Sequence, residues 1–426
     1  MTVEHMHKFY LTNNLGGGGT NVSRLYDYME LFNLSNIGIL LNYYYLTGHA
    51  SPVFDKPLIS EIDEYDDIQS FVSHCRNYFK LRRSTSSAFQ SQTSNSHING
   101  FILDNGCGNF LRNFLENDDS HEQIKNFIKP FLDYAESLHF DFSVSLDLAM
   151  KYTYKANEVN NPSFMSKWKQ LASDNKINLT LLSDALEIIK NTNYTHKILA
   201  PLHGYDYQSF SHYLDEIFEL ENNSDSMFDG FALGGIANTR VLDSALWNVP
   251  KGFSRNQKSA FLCYNLIKTV RNKTNRHIHV LGAGNIYTLP FLIHAGANSS
   301  DCHSAWRRSS DGGINKAKIL VPLLDRNFNF INNNNCLEYV KIGEMQPNNY
   351  KLNCGYSITQ IQNLLRSTDK EDFYLGEIIM FYEAILQYNI LIEFIEQHPN
   401  NYLDLLSNTP DIKLNNNYKV IRDYIE

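Results

Sequence analysis

Short runs rich in apolar, β-branched and aromatic residues recur along this chain, with segments long enough for a helix between them. The runs are Lys8–Thr12, Ile37–Tyr45, Gly100–Leu103, Phe142–Leu146, Lys197–Leu202, Gly230–Leu233, Ile278–Leu281 and Ala297–Ser300. Such alternation is the pattern of repeated βα units. Eight of them suit a closed parallel barrel better than an open sheet, so the expected fold is α/β, a (β/α)8 or TIM barrel. After about residue 325 the rhythm stops, and the Asn-rich stretch Asn327–Asn335 leads into a helical region. The expected division is therefore a barrel over residues 1–325 and an appended helical subdomain over 326–426. In that subdomain Thr368-x-x-Glu371 has the form of a capping box ahead of an amphipathic run, Glu377–Gln397.

A chain of 426 residues with 43% hydrophobic and 13% aromatic residues can fill a barrel core. No apolar run is read as reaching transmembrane length, and MTVEHMHKFY lacks a signal-peptide pattern, so a soluble cytoplasmic protein without a membrane partner is expected. The six cysteines form no CxxC or CxC pair, which argues against a disulfide framework and offers no evident zinc ligand set. The polar run Ser84–His97 reads as a loop ahead of the third strand, at the bottom of the barrel. Gly16–Gly19 matches no phosphate-binding loop, because no Gly-Lys-Ser/Thr follows.

The net charge of −9 argues against indiscriminate nucleic-acid binding. Between Arg240 and Arg276, however, eight basic residues stand against the single acid Asp243, a local charge of +7. Lys268, Arg271 and Lys273 lie in this strip, which reads either as a phosphate-tracking surface or as a solvated helix face.

In a barrel of this kind chemistry gathers where strands end and βα loops begin. Asp104, Asp147, His203, Gly234, Gly235, Gly282, Gly284 and Asp301 all follow the apolar runs directly. Three carboxylates would thus converge on one rim, with glycines that let a flat ligand approach the backbone. Each feature also has a structural reading. Asp104-Asn105-Gly106 is a good turn sequence and Asp147 can cap a helix. His277-x-His279 raises the question of a metal site, but it stands at the start of its strand, at the end of the barrel away from the rim, and reads as structural.

The segment HIHVLGAGNIYTLPFLIHAGANSSDCHSAWRRSSDGG (His277–Gly313) resembles the signature region of the tRNA-guanine transglycosylase superfamily. The likeness extends back through FDGFALGGIA (Phe228–Ala237), which is similar to that family's DG-[YF]-A-[IL]-GG-[LI] motif. Leu103-Asp104-Asn105-Gly106 resembles its DSG motif and Ser145-Leu146-Asp147 its LD motif. The resemblance implies Asp301 as nucleophile and Asp104 as general acid and base. It implies Asp147 as reader of the purine edge with Gly234 and Gly235, and Leu281 as an apolar floor. Gly282 and His203 fall in the same substrate site, His203 standing where the family has glutamine. Phe110 is the candidate substitute for the family's stacking aromatic, whose own position holds Gly108. The family's zinc ligands are reduced to Cys354, with Tyr388-Asn389 in place of His-Asn, so no metal cofactor is expected.

The D-x-x-S-x-W arrangement Asp301–Trp306 and the altered tail are most similar to the DNA-guanine transglycosylases, the DpdA-type enzymes of phages and bacterial modification clusters. These insert a 7-deazaguanine such as preQ0 into DNA. The implied partners are DNA, a deazaguanine base and accessory modification proteins. Arg307 and Arg308 would join the basic strip in holding phosphates beside the pocket. The alternatives are a tRNA-guanine transglycosylase, a non-catalytic nucleic-acid-binding paralogue, and a phosphate-binding metabolic barrel. The last explains the glycines but not the three acids.

Overall fold

The computed structural model describes residues 7–13, 37–43, 70, 98–105, 120–147, 162–204, 206–234, 247–309, 313–331, 339–347, 350–409 and 412–425. Its centre is a closed barrel of eight parallel strands in sequential order. They are β1 (Lys8–Asn13), β2 (Ile37–Asn42), β3 (Ile98–Asp104), β4 (Phe142–Val144), β5 (Lys197–Leu202), β6 (Gly230–Leu233), β7 (His277–Val280) and β8 (Ser299–Cys302). The ring closes where β1 pairs with β8, from Lys8 opposite Ser299 to Leu11 opposite Cys302. This is a TIM barrel.

Alternation along the strands sorts the side chains between two faces. Tyr10, Leu40, Ile102, Val144, Leu199 and Ala232 gather into one cluster inside the ring. Their neighbours, among them Phe9, Leu11, Ile39, Phe101, Ile198 and Ile278, join a larger core under the surrounding helices. Those helices are α1 (Ser120–Ser137), α2 (Pro162–Asn191), α3 (Tyr207–Ser224), α4 (Arg255–Arg271), α5 (Leu289–Ala295) and α6 (Ser304–Ser309). Side-chain caps fix where two of them begin: Asp206 with Ser209 opens α3, and Ser254 with Gln257 opens α4.

Beyond the barrel, β9 (Lys318–Leu320) and β10 (Tyr339–Lys341) form an antiparallel ribbon. They are followed by α7 (Ile358–Arg366), α8 (Lys370–Gln397), α9 (Tyr402–Ser407) and α10 (Ile412–Ile425). The expected boundary at residue 325 falls between the two ribbon strands. Helix α8 contributes Phe381, Ile385, Tyr388 and others to the barrel's core, and Ile379 and Met380 to a second cluster with α7 and β9. Gln387 on α8 reinforces the junction, accepting from the Leu323 amide at 2.9 Å and donating to the Leu324 carbonyl at 2.9 Å.

Several expectations are corrected. Helix α8 is not amphipathic: it is buried on nearly every side, and therefore apolar all round. By length and composition it could cross a membrane, contrary to the reading that no run reaches that length, but most of it lies buried inside the fold. Its cap is Asp369, which accepts from the amides of Glu371 and Asp372, so the helix begins one residue later than a Thr368 cap would place it. Strand β2 stops at Asn42 rather than Tyr45, and β8 begins two residues after Ala297. Asp301 is consequently inside β8 instead of just beyond it. The runs Gly16–Gly19 and Ser84–His97 lie outside the described residues.

Candidate functional site

Asp301 is almost fully buried, at 2% exposure, and both of its carboxylate oxygens are engaged. Oδ1 accepts from the Gly282 amide at 2.8 Å and lies 3.2 Å from His279 Nε2. Oδ2 accepts from the Thr12 hydroxyl of β1. A carboxylate withdrawn from water this far is tolerable only with such charge-assisted donors. The turn after β7 supplies one of them for a steric reason. Gly282 has φ of 68°, a left-handed conformation in which other residues are strained, and this aims its N–H at Asp301. Two residues on, a Cβ at Gly284 would stand 2.7 Å from Ser300 Oγ and 3.0 Å from the Asp301 carbonyl, so only glycine lets the turn lie against β8.

Across the ring, Asp104 is the last residue of β3 and partly exposed, and its Oδ2 accepts from Asn42 Nδ2 at 3.2 Å. The next residue, Asn105, is buried and donates through Nδ2 to the Ser145 carbonyl at 2.9 Å and to Asp147 Oδ1 at 2.7 Å. The other Asp147 oxygen is 2.8 Å from His203 Nε2. That contact is close but not aligned as a hydrogen bond, and neither ring nitrogen of the buried His203 has a hydrogen-bond partner among the described residues. His203 meets Tyr213 of α3 edge-on. A chain Asn105–Asp147–His203 therefore links the ends of β3, β4 and β5, with hydrogen-bonding capacity left on the imidazole. At the end of β6, a Cβ on Gly234 would meet, among the described residues, Leu281 Cδ1 alone, at 3.6 Å. Leu281 is half-buried beside it and donates its amide to the Leu233 carbonyl at 2.8 Å.

Phe110 and Gly235 lie outside the described residues, as does the side chain of Arg307. Arg308 on α6 is exposed, with its guanidinium 5.2 Å from the Tyr339 ring. Lys268, Arg271 and Lys273 of the basic strip are not brought to this rim, and Arg240 lies outside the described residues. Helix α4 runs back toward the start of β7, so its last turn lies at the barrel's opposite end. There Arg271 donates to the Gly296 carbonyl at 2.8 Å, to the Arg276 carbonyl and to Asn298 Oδ1. Lys273 pairs with Asp215, and Lys268 lies over the Tyr264 ring at 5.7 Å. The expectation that these three hold phosphates beside the pocket is not what the geometry provides.

In the region where the resemblance implied a degraded metal site, the Cys354 and Asn353 amides donate to Glu383 Oε2 at 2.7 and 2.8 Å. Burial, against these donors, pushes the Glu383 carboxyl up to about 7. Tyr388 is fully buried, stacked on Phe9 with ring centres 4.4 Å apart. Among the described residues no group of three His, Cys, Asp or Glu side chains is placed to hold a metal ion.

The sequence reading passed over Thr12, Asn42 and Asn105, and it assigned His279 to the wrong end of the barrel. His277 does begin β7, but His279 is the third residue of a four-residue strand, and its ring reaches the carboxylate on β8. The available signal was inward alternation: Thr12 and Asn42 are polar residues at inward positions near the ends of apolar runs. Compared with known proteins, the chain matches no family model and no curated protein. What stands is a TIM barrel, a fold commonly enzymatic, with three strand-end acids on its C-terminal rim.

Proposed function

We propose that this protein is a guanine transglycosylase that exchanges guanine in DNA for a 7-deazaguanine. The observation that carries the reading is joint placement. The four motifs that resemble the transglycosylase pattern fall on β3, β4, β6 and β8, in that order, with Asp104, Asp147 and Asp301 toward the ends of three of these strands.

The chemistry follows double displacement. An Asp301 oxygen forms a bond to the sugar C1′ as the bond from C1′ to the guanine nitrogen breaks. Asp104 gives a proton to the departing base, which leaves neutral. The incoming deazaguanine then loses its ring N–H proton to Asp104 and attacks C1′, and the ester to Asp301 breaks to regenerate the carboxylate. Atoms and charge balance without another reactant. Asp147 and His203 offer an acceptor and an adaptable imidazole to the base edge, while Gly234 and Leu281 bound a slot for a planar ring. The target base must leave the stack to reach this rim, by flipping or in an opened duplex.

The choice of DNA over tRNA rests on the D-x-x-S-x-W resemblance. It is tested by expressing the protein with preQ0 available, digesting DNA and tRNA separately, and measuring deazaguanine nucleosides by mass spectrometry. Modified nucleoside in DNA, lost in Asp301→Asn, is the expected result. Its appearance in tRNA alone would replace the substrate, and its absence from both would overturn the reading.

A further inference from the structure

The histidine pair His277-x-His279 has no part in the chemistry above, yet it is joined to the nucleophile. His277 Nε2 and His279 Nδ1 both lie 2.8 Å from the hydroxyl of Ser299, and the other nitrogen of His279 lies 3.2 Å from Asp301 Oδ1. A carboxylate only accepts, so His279 Nε2 carries the hydrogen. With a neutral ring Nδ1 is then bare, and the single hydroxyl proton of Ser299 goes to it. Ser299 in turn accepts from His277 Nε2–H. Every link then has one direction, from His277 through Ser299 and His279 to Asp301.

The surroundings favour neutral rings at His277 and His7. Burial, with His279 and the cations Lys197 and Arg271 nearby, pushes His277 down to about 3. His7, just ahead of β1, is pushed down to about 4 by burial, against its bond to the Ala297 carbonyl. Tyr10 meets His279 edge-on from the same strand, and burial pushes its hydroxyl up.

We infer that His279 is a positioning residue for the Asp301 carboxylate, with its tautomer fixed by Ser299. The inference rests on the proposed exchange for its chemical consequence. Oδ1 receives two donors, Gly282 N–H and His279 Nε2–H, whereas Oδ2 receives Thr12. Among the described residues Oδ2 thus carries one donor against two on Oδ1, which makes Oδ2 the oxygen that bonds to C1′ and Oδ1 the ester carbonyl held by two fixed donors. Those donors stabilise the charge that returns when the ester breaks, so His279 acts mainly on the second half of the exchange.

The test compares His279→Phe, which lacks the donor, with His279→Gln, which retains an N–H, and with Ser299→Ala, which frees the tautomer. In His279→Phe the exchange rate should fall about 10²-fold, the size of losing one preorganised donor. The protein–DNA adduct should outlive that of the wild type, and the acid limb of the pH profile should move up, because a carboxylate that loses a donor holds its proton more tightly. His279→Gln should recover much of the loss, and Ser299→Ala should show a smaller one. An unchanged adduct lifetime and pH profile in folded His279→Phe, or no recovery in His279→Gln, would overturn the inference. Should His279→Phe not fold, Ser299→Ala and His279→Gln carry the same comparison. Titration of the Asp301 carboxylate by ¹³C NMR, assigned with Asp301→Asn, needs no substrate. An upward shift in His279→Phe without any wild-type exchange would sink the functional reading and keep the positioning role.

Discussion

The two ends of the barrel are both lined with charge, but they use it differently. At the end where the strands begin, the partners are saturated. Arg276 grips both oxygens of Glu221, at 2.6 and 2.8 Å, and the Phe228 carbonyl at 2.8 Å. Arg271 stitches the turn before β7 to the turn before β8 through backbone carbonyls and Asn298. Asp229 and Asp141 accept from the amides of Ile198 and Phe101, at 2.8 and 2.6 Å. At the other end, His203 is buried 2.8 Å from Asp147, and its ring nitrogens have no hydrogen-bond partner among the described residues. Groups that cancel each other hold a fold together. Groups left with capacity are the ones able to take a ligand.

The contrast predicts how each end responds when broken. The largest effect belongs to the rim. Asp301→Asn should abolish base exchange and the denaturation-resistant protein–DNA adduct. Asp104→Asn, which keeps the nucleophile but loses proton transfer, should slow exchange by about 10²–10⁴-fold. An adduct that persists in Asp301→Asn would show that another carboxylate is the nucleophile.

Next comes the opposite end. Arg276→Ala leaves the buried Glu221 carboxylate without its counter-charge, the Phe228 amide still donating to it at 2.9 Å. It should cost about 3–5 kcal/mol in denaturant unfolding, the size expected when one member of a buried pair is removed. Exchange per folded molecule should stay near wild type. A stable but inactive Arg276→Ala protein would break the division between the two ends.

The smallest effect concerns phosphate contacts. Arg308→Gln on α6 should lower the slope of log affinity for DNA against log salt by about one, whereas Lys273→Gln should leave it unchanged. Equal changes in both would return the whole strip to the DNA-binding surface.

Much of this was legible in the sequence, for identifiable reasons. Strands buried on both faces are nearly continuous apolar runs, so all eight were found within a few residues of their observed spans. The eighth was displaced because Ser299-Ser300-Asp301-Cys302 is polar where it lines the site, and the hydrophobic signal fades where function begins. The basic strip was misplaced for a different reason. Closeness in sequence to β7 was read as closeness to the rim, but a helix returning to the start of a parallel strand delivers its last turn to the far end. Thr12, Asn42 and His279 escaped because a single polar residue in a strand gives no clue to the partner it meets across the ring. The Thr368 cap failed by one residue, since the neighbouring Asp369 is an equally good acceptor.

The closure between β1 and β8 has a consequence for how the molecule is made. Thr12 meets Asp301 across 289 positions of chain, and His7 is bonded to Ala297 and Ser300 over comparable separations. During synthesis the first strand emerges long before its partner, and the Thr12–Asp301 contact cannot form until the eighth arrives. Under the proposed exchange, activity returning during refolding would mark the moment the ring shuts.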